Sequence, residues 1–178
     1  MSIKIMLTGP PGCGKTTAIR QVLDRLQCEA HGFTTQEIRE GGRRTGFKLT
    51  TVDGQEGLLA HTRIRGRPRV GKYGVDLTVM DELAVASIRQ GMRERSLIVI
   101  DEIGPMELLS GEFRSAVLEA LETDLSLIGT IMMRSSPFTD SIKARQDVRL
   151  IRISRGTMRS AVEEIVETLG EPGLSRRI

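Results

Sequence analysis

The apolar positions of this chain change period several times, and each change marks an element. Ile3-Lys4-Ile5-Met6-Leu7 is a short apolar run that meets a glycine cluster, after which Ala18, Ile19, Val22, Leu23 and Leu26 recur at helical spacing. This predicts strand, loop, helix. From Gly32 to about His61, runs rich in strand formers (Gly32–Arg39, Thr45–Val52, Gln55–Ala60) are divided by Glu40-Gly41-Gly42-Arg43 and Asp53-Gly54, both strong turn signals. A hairpin or three-stranded meander is predicted there, over about 32–62, as an insertion at one edge of the sheet. Arg63–Gly74 carries three glycines and a proline among its basic residues and is predicted as a surface loop.

The second half alternates. Met80, Leu83, Ala84, Ser87 and Ile88 place a helix within Leu77–Met92, and Leu97-Ile98-Val99-Ile100 is continuous, as a strand buried on both faces should be. A helix over Gly111–Glu122, a strand over Leu125–Met132, a polar loop with a short helix over Ser135–Asp147, a strand over Val148–Ile153 and a helix over Thr157–Leu169 follow. Strands alternating with helices define an α/β fold, a mostly parallel sheet covered on both faces. One domain over 1–170 is expected, with 171–178 a frayed tail.

Composition narrows the function. The 178 residues suit one core, and no apolar run approaches the roughly 20 residues needed to cross a bilayer. No secretory signal pattern is present in MSIKIMLTGP, so a cytoplasmic location is expected. Two cysteines without a CxxC, and two histidines, supply neither a disulfide framework nor a structural zinc site. A net charge of +3 and 3% aromatic residues argue against nucleic acid as the main partner. A small soluble enzyme, acting as a monomer, is the expectation.

The candidate chemistry lies where strand meets helix. Gly9-Pro10-Pro11-Gly12-Cys13-Gly14-Lys15-Thr16 matches G-x-x-x-x-G-K-[ST] in full, followed by Thr17. Such a loop turns successive N–H groups into one concavity at a helix N-terminus and so cradles phosphates. Lys15 is expected on the β- and γ-phosphates and Thr16 on Mg²⁺. The strand Leu97–Ile100 ends in Asp101-Glu102, acids at the carboxyl edge of the sheet, where ligands bind in open α/β folds. Asp101 is expected to be the second Mg²⁺ residue and Glu102 the general base for water, with a water-positioning or purely structural acid as the alternative for Glu102; Ile103 and Gly104 complete the expected nucleotide-binding set.

The residues Gly9–Thr16, Gly32-Phe33, Glu37-Ile38-Arg39, Arg43–Phe47, Gly71–Asp76 and above all Asp101-Glu102-Ile103-Gly104-Pro105-Met106-Glu107-Leu108 resemble the THEP1-type nucleoside-triphosphatase family, described in animals as cancer-related nucleoside-triphosphatase. The resemblance implies Mg²⁺-dependent hydrolysis of nucleoside triphosphates, with loose base selectivity, on a P-loop fold of the RecA and nucleotide-kinase kind. Gln36 stands where an acid is common, and Ser154–Arg159 replaces a usual T-x-E-N-R stretch near the expected base pocket.

Three cations, Arg134, Lys143 and Arg145, flank a polar segment over about 134–147 that is expected to act as a lid and bring positive charge onto the transferring phosphoryl group. Arg63, Arg65, Arg67, Arg69 and Lys72 form a basic run read as a solvated surface, and Cys13 is read as a filler of a variable loop position. Two alternatives stay open at this stage. One is a nucleotide or small-molecule kinase. The other is a nucleic-acid-stimulated ATPase or nucleotide-gated switch.

Overall fold

A computed structural model describes residues 2–66 and 68–170. In chain order the elements are β1 (Lys4–Thr8), α1 (Lys15–Leu26), β2 (Ala30–Glu40), β3 (Arg43–Thr51), β4 (Glu56–His61), β5 (Arg69–Val70), β6 (Tyr73–Val75), α2 (Leu77–Val79), a π-helical stretch (Met80–Val85) running into α3 (Ala86–Glu94), β7 (Leu97–Ile103), a 3₁₀ turn (Glu107–Leu109), α4 (Gly111–Glu122), β8 (Leu127–Ile131), α5 (Pro137–Lys143), β9 (Val148–Arg152) and α6 (Met158–Gly170). All nine strands described form one sheet, ordered β5-β6-β4-β3-β2-β7-β8-β1-β9.

The apolar runs fall in the middle of this order. All five residues of β1 and of β8 are buried, because each strand has neighbours on both edges and helices on both faces. Helices α1 and α6 cover one face, where Ile19, Val22, Val162 and Ile165 pack against Ile5, Leu7 and Val99. On the other face, α3 and α4 bring Ile88, Phe113 and Val117 against Phe33, Ile98 and Ile100, with the Phe33 and Phe113 rings edge to face at 5.9 Å. Asp76 accepts from the Thr78 and Val79 N–H groups at the start of α2, and Ser110 from the Phe113 N–H at the start of α4, so both helices begin on satisfied donors. No helix among the described residues is long and apolar enough to cross a membrane.

The meander lies at one edge of the parallel strands and shares its first strand with them: β2 pairs parallel with β7 from Ala30↔Leu97 to Phe33↔Ile100, and antiparallel with β3 from Phe33↔Thr51 outward. One eleven-residue strand therefore serves both halves, and its outer part overhangs the sheet edge at which β7 delivers Asp101. The basic segment 63–74 is not wholly loop. Arg69↔Gly74 and Val70↔Tyr73 close a small edge hairpin, held by the Arg69 guanidinium donating to the Ile64 and Lys72 carbonyls. Two-residue strands lie below what alternation can reveal. The expected tail at 171–178 falls outside the described residues.

Candidate active site

Chain reversal between β1 and α1 is achieved by the glycine loop. At Gly9 a Cβ would sit 2.3 Å from the Ile153 carbonyl oxygen, and at Gly14, the residue before α1, φ is +102° and a Cβ would meet Met158 Sδ at 2.6 Å. A side chain at Gly9 would push the loop off the Ile153 backbone, and at Gly14 the left-handed backbone conformation itself disfavours any side chain. Lys15 folds back over this loop, its Nζ donating to the Gly9 carbonyl at 2.9 Å and the Pro10 carbonyl at 3.1 Å.

Asp101 stands opposite. It is 1% exposed, and burial pushes its carboxyl above the usual range, an effect opposed by hydrogen bonds from the Thr16 and Thr130 hydroxyls, by the Thr35 N–H and by the Lys15 charge. The Thr130 bond to Oδ1 is 2.8 Å and the Thr35 N–H reaches Oδ2 at 3.5 Å. A buried carboxylate costs several kcal/mol unless it is paired, so a carboxylate with this many donors and a lysine nearby is built to stay charged. Its oxygens and the Thr16 hydroxyl are the hard donors that suit Mg²⁺.

Glu102 follows on the same strand end. Burial raises its pKa first, the Asp101 charge raises it further, and Lys15 opposes both. Behind it lies Glu107, 4% exposed on the 3₁₀ turn, its carboxyl pushed up to about 8 by burial and by Glu102. Gly104 sits against both acids: a Cβ there would be 3.1 Å from Glu102 Cδ and from Glu107 Oε2. Two acids thus share one low-dielectric corner, an arrangement that holds a proton within reach of neutral pH.

A cavity of about 810 Å³ connects these groups. Of the residues expected at the site, Gly9, Pro11, Gly12, Gly14, Lys15, Thr16, Thr17, Asp101, Glu102 and Arg134 line it. Pro10 contributes its carbonyl to Lys15 behind the loop, Cys13 turns into the core at 7% exposure, and Ile103 is fully buried. Nor do two of the three lid cations reach the cavity. Lys143 is bound to the Met133 and Arg134 carbonyls and lies 3.6 Å from Asp140. Arg145 pairs with Glu122 and Asp147, and Asp147 also pairs with Lys4 at the far, N-terminal end of β1. Clustering in sequence placed these cations together; the helix α5 and the return into β9 carry Arg145 to the opposite edge of the sheet.

Sequence reading missed several cavity residues. Thr35, Gln36, Glu37, Arg44 and Phe47 come from the overhanging hairpin, Arg20 from α1 and Thr130 from β8. Thr130 did leave a trace, as a lone hydroxyl within the buried run Leu127–Ile131. Arg44 lies in the Arg43–Phe47 stretch that carries the family resemblance, but its place in the cavity depends on how β3 pairs with β2.

A glycine loop at a helix N-terminus, facing a buried aspartate at the carboxyl end of a parallel strand, defines the class of P-loop nucleotide-binding proteins. Comparison with known proteins agrees and is more specific. The model of the NTPase family matches residues 4–166, and the chain belongs to that family. Nucleoside-triphosphatase THEP1 of Thermotoga sp. (strain RQ2) is 44% identical over 167 residues, covering 94% of this chain and 95% of the relative. The crystal structure of THEP1 from the hyperthermophile Aquifex aeolicus superposes with a TM-score of 0.87 at 33% identity, over 94% of this chain and 99% of the other. The solution structure of a human cancer-related nucleoside triphosphatase gives 0.81 at 34% identity, over 99% and 100%.

Proposed function

We propose that this protein hydrolyses nucleoside triphosphates to the diphosphate and phosphate, with Mg²⁺ held by Thr16 and Asp101. The observation that carries this reading is the buried Asp101 carboxylate, which receives hydrogen bonds from Thr16 of the glycine loop and Thr130 of β8 at once. Its place in a family whose relatives are nucleoside-triphosphatases gives independent support.

The loop N–H groups and the α1 N-terminus bind the phosphates, and Lys15 exchanges its carbonyl partners for the β- and γ-phosphate oxygens. Mg²⁺, which Thr16 and Asp101 would hold, would supply charge neutralisation to the phosphates. Glu102 orients water on the γ-phosphorus and accepts its proton, which its raised affinity for protons favours. Arg134, exposed at the cavity rim, is the one expected lid cation in position to stabilise the transferring group. The reading extends to a monomer acting in the cytoplasm.

Phosphate release from Mg-ATP and Mg-GTP, with no acceptor present, tests this directly. Wild-type protein releases phosphate, Lys15→Ala abolishes release and a chelator stops it reversibly. Undiminished release in EDTA would overturn the metal assignment, and no release by the wild type would overturn the activity.

A further inference from the structure

Lys143 stays outside the cavity, yet its charge is not spent on solvent. It is the last residue of α5, where a lysine ordinarily extends into water, but its side chain is only 17% exposed. Side chains on a helix lean toward its N-terminus, and Lys143 follows that lean back along α5 until Nζ donates to the Met133 carbonyl at 3.3 Å and the Arg134 carbonyl at 3.4 Å. Asp140, its one carboxylate partner among the described residues, lies 3.6 Å away and also accepts from the Ser135 hydroxyl. An ammonium withdrawn from water in this way loses hydration that two neutral carbonyls and one exposed acid replace imperfectly, so stability alone does not account for its placement.

The two carbonyls belong to the link that carries the chain from β8, which ends at Ile131, into α5. That link is tied to the helix at several points. Ser136 caps α5 by accepting from the Thr139 N–H at 3.2 Å, and the hydroxyl of Thr139, which is fully buried, lies 3.5 Å from the same Arg134 carbonyl that Lys143 holds. Two side chains of α5 therefore converge on one carbonyl, and the backbone at Arg134 is turned toward the helix. The Arg134 side chain lines the cavity with Lys15, Asp101 and Glu102, and among the described residues no acceptor holds its guanidinium. A cation that must meet charge developing on a transferring phosphoryl group gains from a fixed base and free donors, since reorganisation during the reaction would offset part of the stabilisation.

We propose that Lys143 is a positioning residue for hydrolysis: by holding the Met133 and Arg134 carbonyls against α5, it fixes the backbone from which Arg134 reaches the transferring phosphoryl group. This rests on the triphosphatase reading and on the place of Arg134 in it. Lys143 itself touches no nucleotide. Its charge acts through the link, so it speeds the phosphoryl step and leaves ground-state nucleotide binding, which belongs to Gly9–Thr16 and Asp101, as it is.

The test is a double-variant cycle on the full chain with Mg-ATP as substrate. Single-turnover rate, KM and the urea unfolding midpoint are measured for the wild type, Lys143→Met, Lys143→Arg, Arg134→Ala and the combination of Lys143→Met with Arg134→Ala. Lys143→Met keeps the aliphatic length and lowers the rate by about tenfold, as losing a hydrogen bond from a charged group implies, with KM unchanged. Lys143→Arg, which keeps a charged donor for the carbonyls, recovers most of that loss. In the Arg134→Ala background the same Lys143→Met change adds no further loss, whereas a lysine that merely stabilised the fold would slow both backgrounds alike. Lys143→Gln, a polar replacement, repeats the cycle independently of how Met packs. The proposal is overturned if Lys143→Met turns over normally, if KM rises in step with the fall in rate, if Lys143→Arg is as slow as Lys143→Met, or if the full loss persists without Arg134. Failure of the triphosphatase reading looks different: the wild type itself releases no phosphate, while normal turnover in Arg134→Ala removes the role of Arg134 and this proposal with it.

Discussion

Thr130 Oγ1 donates a 2.8 Å hydrogen bond to Asp101 Oδ1, and both residues are essentially sealed from solvent. The bond exists because β8 lies between β1 and β7 and pairs in parallel with each. That order sets a hydroxyl from the intervening strand beside the acid at the end of its neighbour. Asp101 is thus oriented from both sides, by Thr16 of the glycine loop and by Thr130.

Thr130→Val keeps the shape of the side chain and removes the hydroxyl. A hydrogen bond to a charged group contributes about 1.5–3 kcal/mol, so the buried carboxylate should hold Mg²⁺ less well and turnover should fall by about tenfold or more at limiting metal. Activity measured against Mg²⁺ concentration should show the half-saturation point moving upward, with partial rescue at high Mg²⁺. An unchanged metal dependence would remove Thr130 from the site.

Arg145 and Arg134 should behave oppositely. Arg145 binds Glu122 and Asp147 on the edge of the sheet away from the phosphates, whereas Arg134 lines the cavity. Arg145→Ala should cost stability by about 1 kcal/mol or less, as partly exposed ion pairs do, with turnover preserved. Arg134→Ala should lower turnover without shifting the unfolding midpoint. Single-turnover rates beside urea denaturation curves separate the two, and a large rate loss in Arg145→Ala would restore it to the lid.

Glu107 carries a pH signature. Burial and the Glu102 charge push its carboxyl from the ordinary value of 4.5 up to about 8 in the folded protein, so between those values the native state holds a proton that the unfolded state has released. Stability therefore falls as pH rises through this window, by up to about 1.4 kcal/mol per pH unit, and levels off above the folded value. Glu107→Gln, neutral at every pH, should be the more stable protein at pH 8 and show a flatter profile from pH 5 to 8. Parallel profiles for variant and wild type in denaturant titrations would contradict the assignment.

Much of this arrangement is legible in the sequence. Lys15, Thr16, Asp101 and Glu102 are local in nature: a fixed spacing at a strand-to-helix turn, and acids at the end of an apolar run. The topology brings them together because parallel strands all end at the same edge. What the pattern could not supply depends on pairing between distant segments. Arg44 reaches the cavity only through the register of β2 with β3, and Arg145 leaves it because the chain folds back after α5. Glu107 belongs to the Asp101–Leu108 stretch in the sequence, but nothing local shows its burial, which follows from the packing of the 3₁₀ turn behind Glu102.

The central claim is that Glu102 acts on water while the glycine loop and Asp101 bind the nucleotide. The decisive measurement is Mg-nucleotide affinity by calorimetry, taken beside single-turnover hydrolysis for Glu102→Gln. The account predicts near-normal affinity with hydrolysis slowed by roughly 10²–10⁴-fold, the usual contribution of general-base catalysis. Near-normal turnover, or a loss of affinity equal to the loss of rate, would contradict it.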